Sequence, residues 1–93
     1  MARKKEKVDY EALQSQWMQI PRMNVDAARA LLDLGLRYHH QAIGRAPEVL
    51  YEEHRKQNPE AAKEVLQRFR MAVYFAENED RDPRLLHPAA WAD

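Results

Sequence analysis

IPRMNVDAAR, residues 20–29, is the stretch that decides the fold, because it ends one helix and begins the next. Pro21 disfavours helical geometry in the residue before it, so a preceding helix should end near Ile20. Asn24 is a good N-cap and also tolerates left-handed backbone geometry better than most residues. We therefore expect a tight turn at residues 21–24 that joins two helices.

The two helices beside this turn are predicted from their own end signals and apolar spacing. Asp9 is a candidate N-cap for a first helix from residue 10 to about residue 19. The second helix should run from residue 25 to about residue 34, with Gly35 at a C-terminal cap that requires positive φ and Leu36 packing back. The predicted core positions of this pair are Tyr10, Leu13, Trp17, Ile20, Val25, Ala28, Leu31 and Leu32.

Further helices are predicted downstream. A short helix near residues 39–43 should end at Gly44, and Pro47 suits the first position of a helix that continues to about residue 57. Asn58 and Pro59 repeat that start signal for the longest helix, from residue 60 to about residue 78. Asp82 and Pro83 can open one last turn. The predicted core positions of this half are Val49, Leu50, Tyr51, Val65, Leu66, Phe69, Ala72, Val73 and Ala76, with Leu85, Leu86 and Trp91 docking at the end.

These elements predict an all-α fold, a compact bundle of five or six short helices without strands. A chain of 93 residues is long enough for one domain and too short for a second independent core. We assign residues 1–8 to a flexible basic tail and residues 9–93 to a single helical domain. Within that domain, residues 9–36 form the paired-helix unit, and residues 37–93 supply supporting helices and a docked final segment.

Composition excludes several classes of function. The chain has no cysteine, which rules out a disulfide framework, a thiolate nucleophile and a zinc ribbon. No apolar run is long enough to span a bilayer, and a cytoplasmic location is expected. The net charge is zero, yet residues 1–45 carry eight Lys or Arg against five Asp or Glu, and residues 46–93 carry seven against ten. An anionic partner would therefore be drawn to the first half.

The order of residues resembles a helix-hairpin-helix family of short bacterial proteins, usually labelled pathogenicity-locus or mitomycin-resistance-like. The similar stretches are residues 20–29, 32–36, 44–51 and 69–75, together with Asp82, Pro83, Leu85, Leu86 and Trp91. The resemblance covers nearly the whole chain and implies a SAM-like helical fold that grips DNA phosphate through backbone amides of the hairpin. Arg22 and Asn24 stand where the family places glycine, so the hairpin departs from the family at both positions.

The resemblance implies binding of duplex DNA phosphates without recognition of base sequence. The predicted contacts are Pro21, Arg22, Met23, Asn24, Val25 and Arg29 around the hairpin, and Lys4, Lys5 and Lys7 in the tail. Arg22 could replace an amide contact with a charge-assisted one. The alternative is a protein-interaction or self-association module without DNA binding, in which the hairpin is only scaffold and a patch of Tyr74, Phe75 or Trp91 meets a partner.

We predict neither an enzyme nor a cofactor or metal site. No nucleophile elbow, phosphate loop or paired carboxylate in an apolar setting is present in the sequence. The adjacent His39 and His40 point in different directions on a helix and do not form an i, i+4 metal pair. His54 and His87 are isolated in sequence, so solvated or capping roles are expected for them.

Overall fold

A computed structural model describes residues 8–92 of the chain, and all regular structure in this part is helical. The α-helices are α1 (Tyr10–Leu13), α2 (Val25–Asp33), α3 (Pro47–Gln57) and α4 (Lys63–Glu77). Short 3₁₀ turns lie at Gln16–Gln19, His39–Ala42, Pro83–Leu85 and Pro88–Trp91. The predicted all-α class is confirmed, with four α-helices and four single 3₁₀ turns in the described residues instead of five or six helices.

Helix α4 is the centre of the fold. Its buried side chains Phe69, Met71 and Ala72 are fully enclosed, and α2, α3 and two of the 3₁₀ turns pack around it. The stripe of apolar residues predicted for this helix is buried or half-buried throughout, and Met71 joins it. Within residues 8–92 no helix has the length and apolarity to cross a membrane.

The first predicted helix is broken in the middle. Asp9 caps α1 as predicted, because its carboxylate accepts the Ala12 amide at 3.1 Å, but α1 ends at Leu13. The Ser15 hydroxyl donates to the Ala12 carbonyl at 2.6 Å, a side-chain bond that competes with helical pairing. The break changes the helical phase, so Tyr10 and Leu13 are 64% and 41% exposed, and their predicted core positions are wrong.

The second part of the broken helix anchors the core. Trp17 is fully buried, and its indole N–H donates to the Leu36 carbonyl at 2.8 Å. Leu36 is presented by a cap at the end of α2, where Gly35 has φ +89°. The Gly35 amide donates to Leu32 and the Leu36 amide to Leu31, which is a Schellman motif. The predicted cap and the return of Leu36 are confirmed.

Helix α3 matches its predicted limits, whereas α4 begins three residues late. The expected start at residue 60 is wrong because Asn58 and Pro59 form a turn in which the Asn58 carbonyl accepts the Ala61 amide at 2.9 Å. The Tyr51 hydroxyl then donates to the Ala61 carbonyl at 3.1 Å and holds this turn on α3. Val49 was also placed wrongly in the core, since it is 54% exposed.

The C-terminal segment, residues 83–91, lies along α4. Leu86 and Trp91 pack against the core, and Pro88 is buried. The Trp91 ring lies 5.6 Å from that of Tyr74, and its indole N–H donates to the Leu85 carbonyl at 2.8 Å. Asp82 caps the first turn by accepting the Arg84 amide at 3.0 Å. The Leu86 carbonyl accepts a hydrogen bond from Arg22 at 3.4 Å, so this segment lies beside the turn at residues 21–24, from which it is remote in sequence.

Candidate nucleic-acid interface

The turn between Ile20 and Met23 has the form that glycine usually supplies. The Met23 amide donates to the Ile20 carbonyl at 3.2 Å, which closes a four-residue turn with Pro21 in its second position. Arg22, in the third position, has φ +65°. A type II turn requires positive φ there and favours proline before it, so this chain places an arginine in a conformation that costs about 1–2 kcal/mol for a residue with a Cβ.

Asn24, the other residue at a position where the resembling family places glycine, behaves differently. Asn24 has φ −122° and is extended, so the turn does not use its tolerance of left-handed geometry. Its role as N-cap is confirmed, because its side-chain oxygen accepts the Ala27 amide at 2.9 Å. Of these two residues, only Arg22 adopts the positive φ that the turn requires.

The beginning of α2 presents two amides without a helical partner beside one carboxylate. The amides of Val25 and Asp26 precede the first possible helical bond, and the helix dipole favours an anion near them. The Asp26 carboxylate, however, lies in the same first turn and repels a phosphate. Pro21 and Arg22 are exposed, whereas Met23 is buried and Val25 half-buried, so the side chains of these last two face the core.

Arg29 lies in a network of acidic residues. Its guanidinium is within 3.2 Å of carboxylate oxygens of Asp9, Glu11 and Asp33, and Arg37 pairs with Glu11 at 3.0 Å. The hydrogen bond that Arg29 donates to Glu11, more than any other contact, raises the pKa of Arg29. The bonds from Arg29 to Asp9 and Glu11 hold α1 against α2. Phosphate binding by Arg29 stays a prediction, and the three carboxylates weigh against it.

No family model, curated protein or solved structure matches this chain. The resemblance to helix-hairpin-helix proteins therefore rests on the residues given above, and its implications are treated as proposals. The predicted contacts Lys4, Lys5 and Lys7 lie outside the described residues.

The turn that contains Arg22 has basic neighbours that the sequence did not indicate. Nε of Arg68, on α4, donates to the Arg22 carbonyl at 3.0 Å, and the Arg22 side chain reaches the Leu86 carbonyl at 3.4 Å. Arg84 and His87 line the adjoining surface with Arg22. We call Arg22, Arg68, Arg84 and His87 the basic surface. Its members lie on three separate parts of the chain, so neither spacing nor local charge in the sequence could have revealed it.

Tyr74, Phe75 and Trp91, the aromatic patch considered for protein binding, make contacts within the fold. Tyr74 accepts the Asp82 amide through its hydroxyl at 2.8 Å and contacts Trp91. The guanidinium of Arg81 lies 3.5 Å from the centre of the Phe75 ring, a favourable cation–π contact. All three aromatic side chains are half-buried, and Tyr74 and Trp91 also line a surface groove, so part of this patch stays open to solvent.

The side chains of His39 and His87 make contacts within the fold. Nε2 of His39 lies 2.7 Å from the Gln16 carbonyl, and its ring packs edge-on between Trp17 and Phe75. Nδ1 of His87 accepts the Ala89 amide at 3.4 Å. Among residues 8–92 no three His, Asp or Glu side chains are grouped to hold a metal ion.

His54 makes stability depend on pH. Burial beside Phe69 lowers its pKa, and the Asp33 carboxylate opposes this only partly. Because the pKa is lower in the folded chain than in the unfolded one, the unfolded state binds more protons just below pH 6.5. We expect the free energy of unfolding to fall as pH decreases through this window, and chemical denaturation at several pH values would measure it. His54→Gln should make the free energy of unfolding depend less on pH than in the wild type. His40→Gln, which alters an exposed ring, should have a smaller effect. An equal pH dependence for wild type and His54→Gln would contradict this.

Proposed function

We propose that this chain binds the phosphate backbone of duplex DNA without recognising base sequence, and that residues 9–36 act as a helix-hairpin-helix unit. The observation that carries the proposal is the exposed Arg22 in left-handed geometry at the tip of the turn. A strained residue of this kind persists where the surrounding structure or a function requires it. Here the turn presents a cation outward at the position where the resembling family uses glycine.

The charges around the turn favour a contact through side chains over one through amides alone. Asn24 already occupies the Ala27 amide, and Asp26 opposes an anion at the remaining amides of the first turn. Arg22 offers a charge-assisted hydrogen bond that is about twice as strong as a neutral one. Contacts of this kind touch phosphate only and carry no base information.

Salt dependence is the decisive test of this function. Binding to random duplex DNA, measured by fluorescence anisotropy at several salt concentrations, should weaken linearly in a plot of log affinity against log salt. The slope should be the same for duplexes of different sequence. A self-association or protein-binding module would show no DNA binding at low salt, and sedimentation of the same samples would then report its oligomeric state.

The basic N-terminal residues should add affinity without supporting the fold. We expect removal of residues 1–7, which carry Arg3, Lys4, Lys5 and Lys7, to reduce both DNA affinity and the salt slope, since each lost phosphate contact lowers the slope by about 0.9. The thermal unfolding curve should stay unchanged. A truncated chain that binds DNA as tightly as the full chain would show that these residues do not contact phosphate.

A further inference from the structure

The C-terminal segment and the hairpin together border two shallow grooves. Arg22, Arg84 and His87 line one groove, and Arg22, Arg68 and His87 line the other. Arg22 and His87 belong to both, so the grooves adjoin along a line between the hairpin tip and the segment. Three guanidinium groups from remote parts of the chain thus face the same surface.

The charges on this surface are available to an anion. The Arg84 side chain is 89% exposed, and Arg22 and Arg68 make their contacts at the protein surface. The nearby acidic groups are Asp82, which pairs with Arg84 at 2.8 Å, and Glu64. Three arginines thus stand against two carboxylates, whereas around Arg29 two arginines face three carboxylates. The positive side of the hairpin is the side that the C-terminal segment covers.

We propose that Arg68 and Arg84 bind DNA phosphates beside Arg22, so that the C-terminal segment is part of the DNA-binding surface. This inference rests on the proposed function and extends it to residues outside the hairpin. The partner is the phosphate backbone of a duplex, contacted at several neighbouring phosphates through charge-assisted bonds.

The ion pair of Arg84 and Asp82 allows one variant that should weaken DNA binding and one that should strengthen it. Arg84→Gln should reduce the salt slope by about 0.9. The ratio of wild-type affinity to variant affinity should therefore fall about 3.5-fold between about 50 and about 200 mM salt. Asp82→Asn keeps an oxygen that can accept the Arg84 amide and removes the charge that competes for Arg84. We expect it to tighten DNA binding roughly threefold at low salt, because Arg84 no longer has to leave its ion pair with Asp82 before it contacts a phosphate.

Glu52 and Arg55 on α3 provide the matched control pair. They also form a surface ion pair, at 3.6 Å, and line neither groove. Arg55→Gln changes the net charge by the same amount as Arg84→Gln, and Glu52→Gln by the same amount as Asp82→Asn. Both control variants should keep the wild-type salt slope. In the double variant Arg84→Gln with Asp82→Asn, the gain from Asp82→Asn should disappear, because it acts through Arg84.

The outcomes separate this inference from the proposed function. If the wild type binds DNA and Arg84→Gln has the wild-type slope, or if Asp82→Asn tightens binding no more than Glu52→Gln, the C-terminal segment is not part of the surface and the hairpin function still stands. If the wild type shows no DNA binding at low salt, the proposed function itself is wrong. Circular dichroism checks that each variant is folded.

Discussion

Truncation of the chain before Leu85 is expected to lower the melting temperature by roughly 10 °C. Leu86 and Trp91 pack against the core, and the Trp91 carbonyl accepts a 2.6 Å hydrogen bond from Arg70 on α4. Partial burial of a tryptophan and a leucine, at about 25 cal/mol per Å², is worth about 2 kcal/mol after the cost of ordering the segment. In a domain of this size, each kcal/mol shifts the melting temperature by about 4–8 °C.

Two point variants show which part of the segment is responsible. Trp91→Ala removes the ring that contacts Tyr74 and should reproduce most of the loss. Trp91→Phe keeps an aromatic ring and loses only the indole bond to the Leu85 carbonyl, so its effect should be about 1 kcal/mol. Differential scanning calorimetry measures all three, and an unchanged melting curve for the truncated chain would show that the segment contributes nothing to stability.

The local signals predicted most of the helices, and the errors have local physical causes. Asn24, Gly35 and Pro47 each act within one turn of the end of a helix, so their neighbours in sequence are enough to interpret them. Ser15 ended α1 through a hydroxyl bond to the backbone that apolar spacing cannot indicate. Asn58 and Pro59 gave a start signal, but the Tyr51 hydroxyl fixes the turn that they form.

The candidate site was less predictable than the fold, because it depends on contacts between distant residues. Arg22 is 46 residues from Arg68 and 64 from Leu86 along the chain. The charge count of the two halves pointed an anionic partner to residues 1–45. The second half nevertheless places Arg68 and Arg84 beside Arg22, whereas Arg29 in the first half is surrounded by carboxylates. The net charge of a segment does not show which of its charged residues are paired with each other and which lie beside a distant part of the chain.

Replacement of Arg22 by glycine and by alanine separates the backbone of the turn from its charge. At φ +65° alanine keeps the Cβ strain of arginine, and glycine removes it. We expect Arg22→Gly to be more stable than Arg22→Ala by about 1 kcal/mol, which corresponds to about 4–8 °C in melting temperature. Equal melting temperatures would mean that the turn relaxes to negative φ without cost.

The same two variants test the hairpin as a phosphate-binding element. Arg22→Ala should weaken binding about equally for all duplex sequences and reduce the salt slope by about one, because one phosphate contact is lost. Arg22→Gly loses the same charge but lets the backbone approach phosphate more closely, so it should bind DNA better than Arg22→Ala. Arg45→Ala, a change of an exposed arginine beyond the grooves, is the matched control and should keep the wild-type slope. If neither the wild type nor Arg22→Gly binds DNA at low salt, the hairpin is a packing element and the protein-interaction alternative takes its place.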